Sequence, residues 1–271
     1  MSFIQTSVQR TLRKVSRRVL LAASLLLCIH HASTAADLNV ISSGGFTAAY
    51  QQLVPLYEQA SQHKVTTAYG ASIGNAPDSI PSRLARGEQF DIVILADSAL
   101  DDLIKQGKVE PGSRVDLARS IIGMSVRKGT PKPDISTVAA LRQTLLDAKS
   151  IAYSASASGT YLSTELFQRL GVAEQVKDKA KKIFSERVGT VVERGDAEIG
   201  FQQVSELLPF KNLDFVGPLP QEVQQTIFFS AGVMVGAKQP EAARHLIRYL
   251  ASPAAAATVR RTGMDPVAVA P

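Results

Sequence analysis

The stretch "FDIVILAD" at residues 90–97 does most to limit the fold. Its centre, Ile92 to Leu95, is apolar without a break and mostly β-branched. A strand that is apolar on both faces is buried on both, as in a parallel sheet covered by helices. The segment that follows, "SALDDLIKQGKV", has the apolar spacing of an amphipathic helix. The same alternation precedes it: strand "DLNVIS", helix "FTAAYQQLVPLYEQASQ", strand "HKVTTAYG" and helix "DSIPSRLARGE". Strands alternating with helices predict an α/β chain with mainly parallel sheet.

Two long extended runs interrupt this order, "SRVDLARSIIGMSVRKG" and "QQTIFFSAGVMVGA". Between them lies a second series: helix "TVAALRQTLLDAK", strand "SIAYS", helices "GTYLSTELFQRLGV", "QVKDKAKKI" and "GTVVERGD", then strands "AEIGFQQ" and "LDFVGPLP". Two helices, "PEAARHLIRYLAS" and "PAAAATVRRTG", end the chain. The pattern predicts two lobes joined by two crossovers, with a ligand cleft between them. Lobe 1 comprises residues 36–118 with 226–271, and lobe 2 residues 119–225. Ligands of such sheets bind where strands end and helices begin.

The first 35 residues stand apart. Arg10, Arg13, Lys14, Arg17 and Arg18 precede the apolar run "VLLAASLLLCI", and small residues follow. That order predicts a secretory signal peptide cleaved near Ala35, because the apolar run is shorter than the roughly 18 residues of a membrane span. Without it, the chain's 30 basic and 24 acidic residues become 25 and 24. A nearly neutral chain with no basic run is not patterned for nucleic acid or a membrane surface. The one cysteine, Cys28, falls in the signal, which leaves no disulfide, thiolate or Cys-ligated metal. The expected setting is the periplasm, and the expected state is a monomer with neither cofactor nor metal.

Four turns at strand ends are rich in glycine and hydroxyls: Ser42-Ser43-Gly44-Gly45, Tyr69-Gly70-Ala71-Ser72, Asp97-Ser98 and Ser154 through Ser158-Gly159-Thr160. Unpaired N–H groups and the positive end of the dipole meet there, and glycine lets a ligand approach the backbone. A serine N-cap explains any one turn alone. Four in both lobes point to a grip for a small anion. Arg187, before "VGTVVERGD", is placed to reach a carboxylate. Arg83, Arg86 and Glu88 read as a solvated face, Asp91 as a backbone or cap partner, and His63 and His245 as surface residues. No nucleophile elbow, phosphate loop or dinucleotide fingerprint occurs.

The order "SSGG…AYGAS…RLARGEQFDIVILAD", then "IAYSASASGTYLSTEL", then "VVERGDAEIGFQQVSEL", resembles the molybdate-binding-protein-like periplasmic solute receptors. That resemblance implies two α/β lobes holding an oxyanion between helix N-termini and passing it to an ABC transporter permease. It maps ligand serines onto Ser43, beside Ser42, and onto Ser72. The second-lobe turn falls on Ser158-Gly159-Thr160-Tyr161. Gln203 stands where the family has a tyrosine, and the second turn is longer, so a ligand other than molybdate is implied. The chain is also similar to aconitate isomerase-like members at residues 42–45, 81–86, 154–163 and 200–207. These would move an allylic proton in a tricarboxylate, which needs a base and donors for dienolate-like charge. Tyr69, Tyr153 and Glu165 are the candidate bases, with none assigned. The ligand-binding candidates are Ser42, Ser43, Gly44, Ser72, Ser98, Ser158, Gly159, Thr160, Arg187 and Gln203. The leading reading is capture of an oxyanion or polycarboxylate for ABC-type uptake, and the alternative is aconitate isomerase.

Overall fold

Strand β1 (Asp37–Ser42) lies between β2 (Lys64–Tyr69) and β3 (Ile92–Ala96), parallel to both. The computed structural model describes residues 35–267. All of the expected signal peptide except its last residue, Ala35, lies outside them. Helix α1 (Gly44–Ser61) joins β1 to β2, α2 (Ile80–Ala85) precedes β3, and α3 (Asp97–Lys105) follows it. All five residues of β3 are buried. Their apolar side chains divide between two clusters on opposite faces, Ile92 and Ile94 with Phe46 and Tyr50, and Val93 and Leu95 with Ile80 and Leu100.

Strand β4 (Val115–Arg127) then leaves this sheet for a second one. There α4 (Val138–Asp147) leads to β5 (Ile151–Ser154) and α5 (Ala157–Tyr161), which runs through a π-helical turn (Leu162–Leu166) into α6 (Phe167–Arg169). The chain continues as α7 (Ala173–Val176), β6 (Ala180–Ile183), α8 (Val188–Arg194), β7 (Ile199–Gln203), α9 (Val204–Leu207) and β8 (Leu213–Pro218). Strand β5 is parallel to its neighbours β6 and β7. Strand β9 (Thr226–Val233) returns antiparallel to β3 and β4, and α10 (Pro240–Leu250), α11 (Pro253–Arg261) and β10 (Asp265–Pro266) close the chain. The result is a two-lobed α/β fold in which the chain crosses twice, along β4 and again between β8 and β9. One pair of apolar clusters draws on residues 38–118 and 227–264, and the other on residues 122–223.

Two local expectations are corrected. "QVKDKAKKI" is not one helix. It is the short α7 followed by β6, an edge strand that exposes Lys181 and Lys182. Lysines on an edge discourage pairing with another chain, and the same residues read equally well as a solvated helix face. His63 is not on the surface. Only 4% of it is exposed, its Nδ1 accepts from the Ala36 N–H at 3.0 Å, and its ring lies 5.9 Å from that of Tyr57. Position 63 looks exposed because it falls in a helix-to-strand turn, but the first described residues fold back over it. His245 is exposed, as expected.

Asp91 does the backbone work its position suggests. Its carboxylate accepts from Asn39 N at 2.8 Å, Lys238 N at 2.7 Å and Gln239 N at 3.2 Å. It thereby ties β1 and β3 to the start of α10. Removing the carboxylate strands buried N–H groups, at about 1–3 kcal/mol for each loss. Asp91→Ala is therefore expected to lower unfolding free energy by about 3 kcal/mol in urea titration, and a loss below about 1 kcal/mol would contradict this tie.

Candidate functional site

Ser43, directly after β1, is in the N-cap position of α1, yet it is not a cap. Its backbone is extended and its N–H donates to Ile94 O at 2.7 Å. Its hydroxyl makes no capping bond, and Ser43 Oγ is buried with no hydrogen-bond partner among the described residues. The contrast lies elsewhere in the same chain. Ser79 Oγ accepts from Ser82 N at 3.3 Å and Thr137 Oγ1 from Ala140 N at 3.1 Å, as N-caps do. Ser43 instead faces a cleft of about 270 Å³ between the lobes.

Across that cleft is the second-lobe turn. Ser158 Oγ pairs with Ser154 Oγ at 3.1 Å, and Ser156 N donates to Ser154 Oγ at 3.4 Å. Gly159 is required behind them, since a Cβ there would collide with the Ser154 carbonyl. The walls are bonded to each other. Ser72 N donates to Ser156 Oγ at 3.2 Å, and Ser185 Oγ donates to Asp78 Oδ1 at 2.8 Å. Ser72 Oγ accepts from Ala96 N at 3.0 Å, which fixes the second turn to the end of β3.

The end of β7 supplies the rest. Gln203 Oε1 accepts from Ser120 Oγ of β4 at 2.6 Å, while Gln203 Nε2 is buried without an acceptor among the described residues. Gln202 Oε1 accepts from Val188 N at 3.1 Å, and its Nε2 donates to Glu206 Oε1 at 2.8 Å. Arg187 stands exposed at the N-terminus of α8 and lines the cleft, with no ion pair among the described residues. Glu206 lies over the start of α1, so close that a Cβ on Gly44 would strike Oε1. Burial pushes the Glu206 carboxyl up to about 7, against the pull of Arg187 and of the Gln202 bond.

Six of the ten ligand-binding candidates meet at this cleft: Ser43, Gly44, Ser72, Ser158, Arg187 and Gln203. Four do not line it. Ser42 is buried behind, its hydroxyl donating to Ser43 O at 3.3 Å. Gly159 and Thr160 lie within α5, beyond the lining Ser158. Ser98 is exposed in the first turn of α3, because that helix starts directly on the end of β3 with no intervening loop. Of the candidate bases, Tyr69 lines the cleft and is 37% exposed. Tyr153 packs in the second-lobe core, where burial raises its phenol, and Glu165 is exposed on the π-helical turn. Glu206, Gln202, Ser156 and Ser185 also border the cleft and were not singled out by sequence. The available signal for Glu206 was "QQVSEL", a carboxyl in the turn directly after a buried strand and four residues from Gln202. Arg83 and Arg86 both pair with Glu88 at 2.8 Å away from the cleft. Among the described residues no cluster of His, Asp or Glu could hold a metal ion, and no helix is long and apolar enough to cross a membrane.

A family model described as a bacterial extracellular solute-binding protein matches residues 38–265. An aconitate isomerase from Pseudomonas sp. is 45% identical over 253 residues, covering 93% of this chain and 95% of that protein. The molybdate-binding protein ModA of Azotobacter vinelandii is 27% identical over 251 residues, covering 90% and 95%. The solved structure of the Azotobacter vinelandii periplasmic molybdate-binding protein aligns with a TM-score of 0.69 at 20% identity, over 86% of this chain and 99% of that one. At that identity the structural likeness is one of fold.

Two measurements check the site's energetics. Ser43→Ala removes a hydroxyl with no partner, so unfolding free energy should stay level or rise by up to about 1 kcal/mol, whereas Ser79→Ala should lose about 1 kcal/mol. Equal losses in urea titration would mean that Ser43 is bonded after all. Glu206 holds its proton more tightly folded than unfolded, so its contribution is full below the ordinary 4.5 and lost as pH rises through about 7. Relative to wild type, Glu206→Gln should therefore gain on the order of 3 kcal/mol between pH 4.5 and pH 8. A pH-independent difference would rule out the buried carboxyl as its source.

Proposed function

Because the chain belongs to the bacterial extracellular solute-binding protein family, we propose that its cleft takes a small polycarboxylate and that the protein is an aconitate isomerase. The observation that carries this reading is the pair of buried donors without acceptors, Ser43 Oγ and Gln203 Nε2. Their residues come from the two series of elements and both line the cleft that Arg187 also borders. A buried unsatisfied polar group costs about 1–3 kcal/mol. Such atoms persist where a ligand supplies the missing partners, and donors with a guanidinium call for an anion.

The cleft favours a polycarboxylate over a four-oxygen anion. Its roughly 270 Å³ approaches the size of pockets that hold small organic ligands. Its donors are dispersed over both walls, which suits an anion with several separated carboxylates. The phenol that the molybdate receptors place at this position is replaced by the Gln203 amide. Extensive identity to the Pseudomonas aconitate isomerase supports the same choice. In such a reaction a methylene proton leaves, charge spreads over the allyl unit into the carboxylates, and a proton returns at the other end. Ser43, Gln203 and Arg187 would bear that growing charge. The mature protein would act in the periplasm as a monomer, after loss of residues 1–35, without cofactor or metal.

A second reading keeps the same cleft for capture and delivery to an ABC transporter permease. The bonds between the walls, Ser72 to Ser156 and Ser185 to Asp78, favour it, since closure over a solute is what a receptor needs.

Incubation of the mature protein with trans-aconitate, followed by chromatography, should show the cis isomer approaching equilibrium. Thermal shifts with cis- and trans-aconitate, citrate and tricarballylate should exceed those with molybdate, tungstate, sulfate or phosphate. Ser43→Ala should weaken tricarballylate binding about tenfold. Binding without interconversion would leave the receptor reading, and silence to every anion would end both.

A further inference from the structure

Three carboxylates border the cleft, and two are already engaged. Asp78 Oδ1 accepts from Ser185 Oγ at 2.8 Å, and Glu186 pairs with Arg194 at 3.2 Å. Glu206 differs. It forms no ion pair among the described residues, and only its Oε1 is hydrogen-bonded, to the Gln202 amide. It lines the interlobe cleft beside Ser43 and Arg187. It also lines a second cavity of about 330 Å³ whose walls include Gln52, Leu208, Arg261 and Thr262. Glu206 thus borders both spaces, together with Gly44, Gln51 and Arg187.

We propose that Glu206 is the catalytic residue that carries the migrating proton of the isomerisation, and that the second cavity is its route of proton exchange with water. The inference rests on the isomerase reading. The Glu206 carboxylate breaks a C–H bond of the substrate methylene and becomes a carboxylic acid. The electron pair left on carbon delocalises over the three-carbon allyl unit and its carboxylates. The same acid then forms a C–H bond at the opposite allyl carbon, the double bond shifts by one position, and Glu206 returns to carboxylate. Nothing is oxidised or reduced, and no atom is gained or lost. One group suffices, because both ends of an allyl unit lie within reach of a single carboxyl.

Several features fit that duty. Burial lifts the carboxyl to about 7, near neutrality, where a group serves almost equally as base and acid. The glycine at position 44 makes room for it, since any side chain there would displace Oε1. Gln202, anchored on the N-terminus of α8 through Val188 N, holds Oε1 and leaves Oε2 for the substrate.

The test uses the mature wild-type protein, Glu206→Gln and Glu206→Asp. In deuterium oxide, wild-type turnover of trans-aconitate should place solvent deuterium in the cis product, read by NMR. Glu206→Gln should lose at least about a hundredfold in turnover. Calorimetry should find its tricarballylate affinity within about threefold of wild type, which shows that the cleft is intact. Glu206→Asp should restore part of the rate, because the carboxyl returns at shorter reach. Glu206→Gln turnover within tenfold of wild type overturns the assignment while the isomerase reading stands. Product free of deuterium at all extents of reaction overturns the exchange route. Wild-type protein that binds tricarballylate yet neither isomerises nor exchanges removes the isomerase reading, and this inference with it.

Discussion

Strand β4 pairs with β9 over Val115 to Ile121 and with β7 over Ile122 to Val126, so one continuous strand belongs to both sheets. Strand β9 in turn pairs with β3. The geometry of the cleft depends on this shared strand. It points the carboxyl ends of the parallel strands in each lobe at a common space, where their turns and helix starts must face one another. Ser120 lies on β4 near the switch and donates to Gln203, so the crossing strand itself orients a cleft amide. A crossing built this way leaves the apolar clusters of the two lobes separate while the polar turns meet.

What meets there is unusual in its hydrogen bonding. Native chains pair nearly all buried polar atoms. Here Ser43 and Gln203, which both line the cleft, each carry a buried polar atom without a partner among the described residues, while Ser79 and Thr137 elsewhere in the chain act as caps. Glu206 is the electrostatic counterpart. Desolvation favours its acid form, Arg187 and the Gln202 hydrogen bond favour its carboxylate, and the balance falls close to neutrality. Under the proposed function, these donors and this carboxyl would serve proton transfer in an anionic substrate.

Much of this was legible beforehand, for reasons that differ by residue. Ile92 to Leu95 announced a doubly covered strand because burial on both faces leaves no polar alternation to read. Ser43, Ser72 and Ser158 were legible because strand-end turns of small residues face ligand sites. Ser98 belongs to the same pattern and misses the cleft, since a helix that starts directly on its strand turns its second residue to solvent. Lys181 and Lys182 fit an edge strand and a solvated helix face alike, and only pairing with β5 decides. His63 is covered by chain far from its own turn in sequence.

The sequence alone therefore determined the α/β alternation, the two crossings and the small-residue turns that border the cleft, because these follow from local periodicity and turn chemistry. Only the tertiary structure decided which hydroxyls remain without partners and which acid joins them. Glu206 lies 162 positions after Gly44 in the chain yet rests over it. Its raised affinity for a proton comes from burial between two cavities, and no local pattern encodes desolvation by distant neighbours.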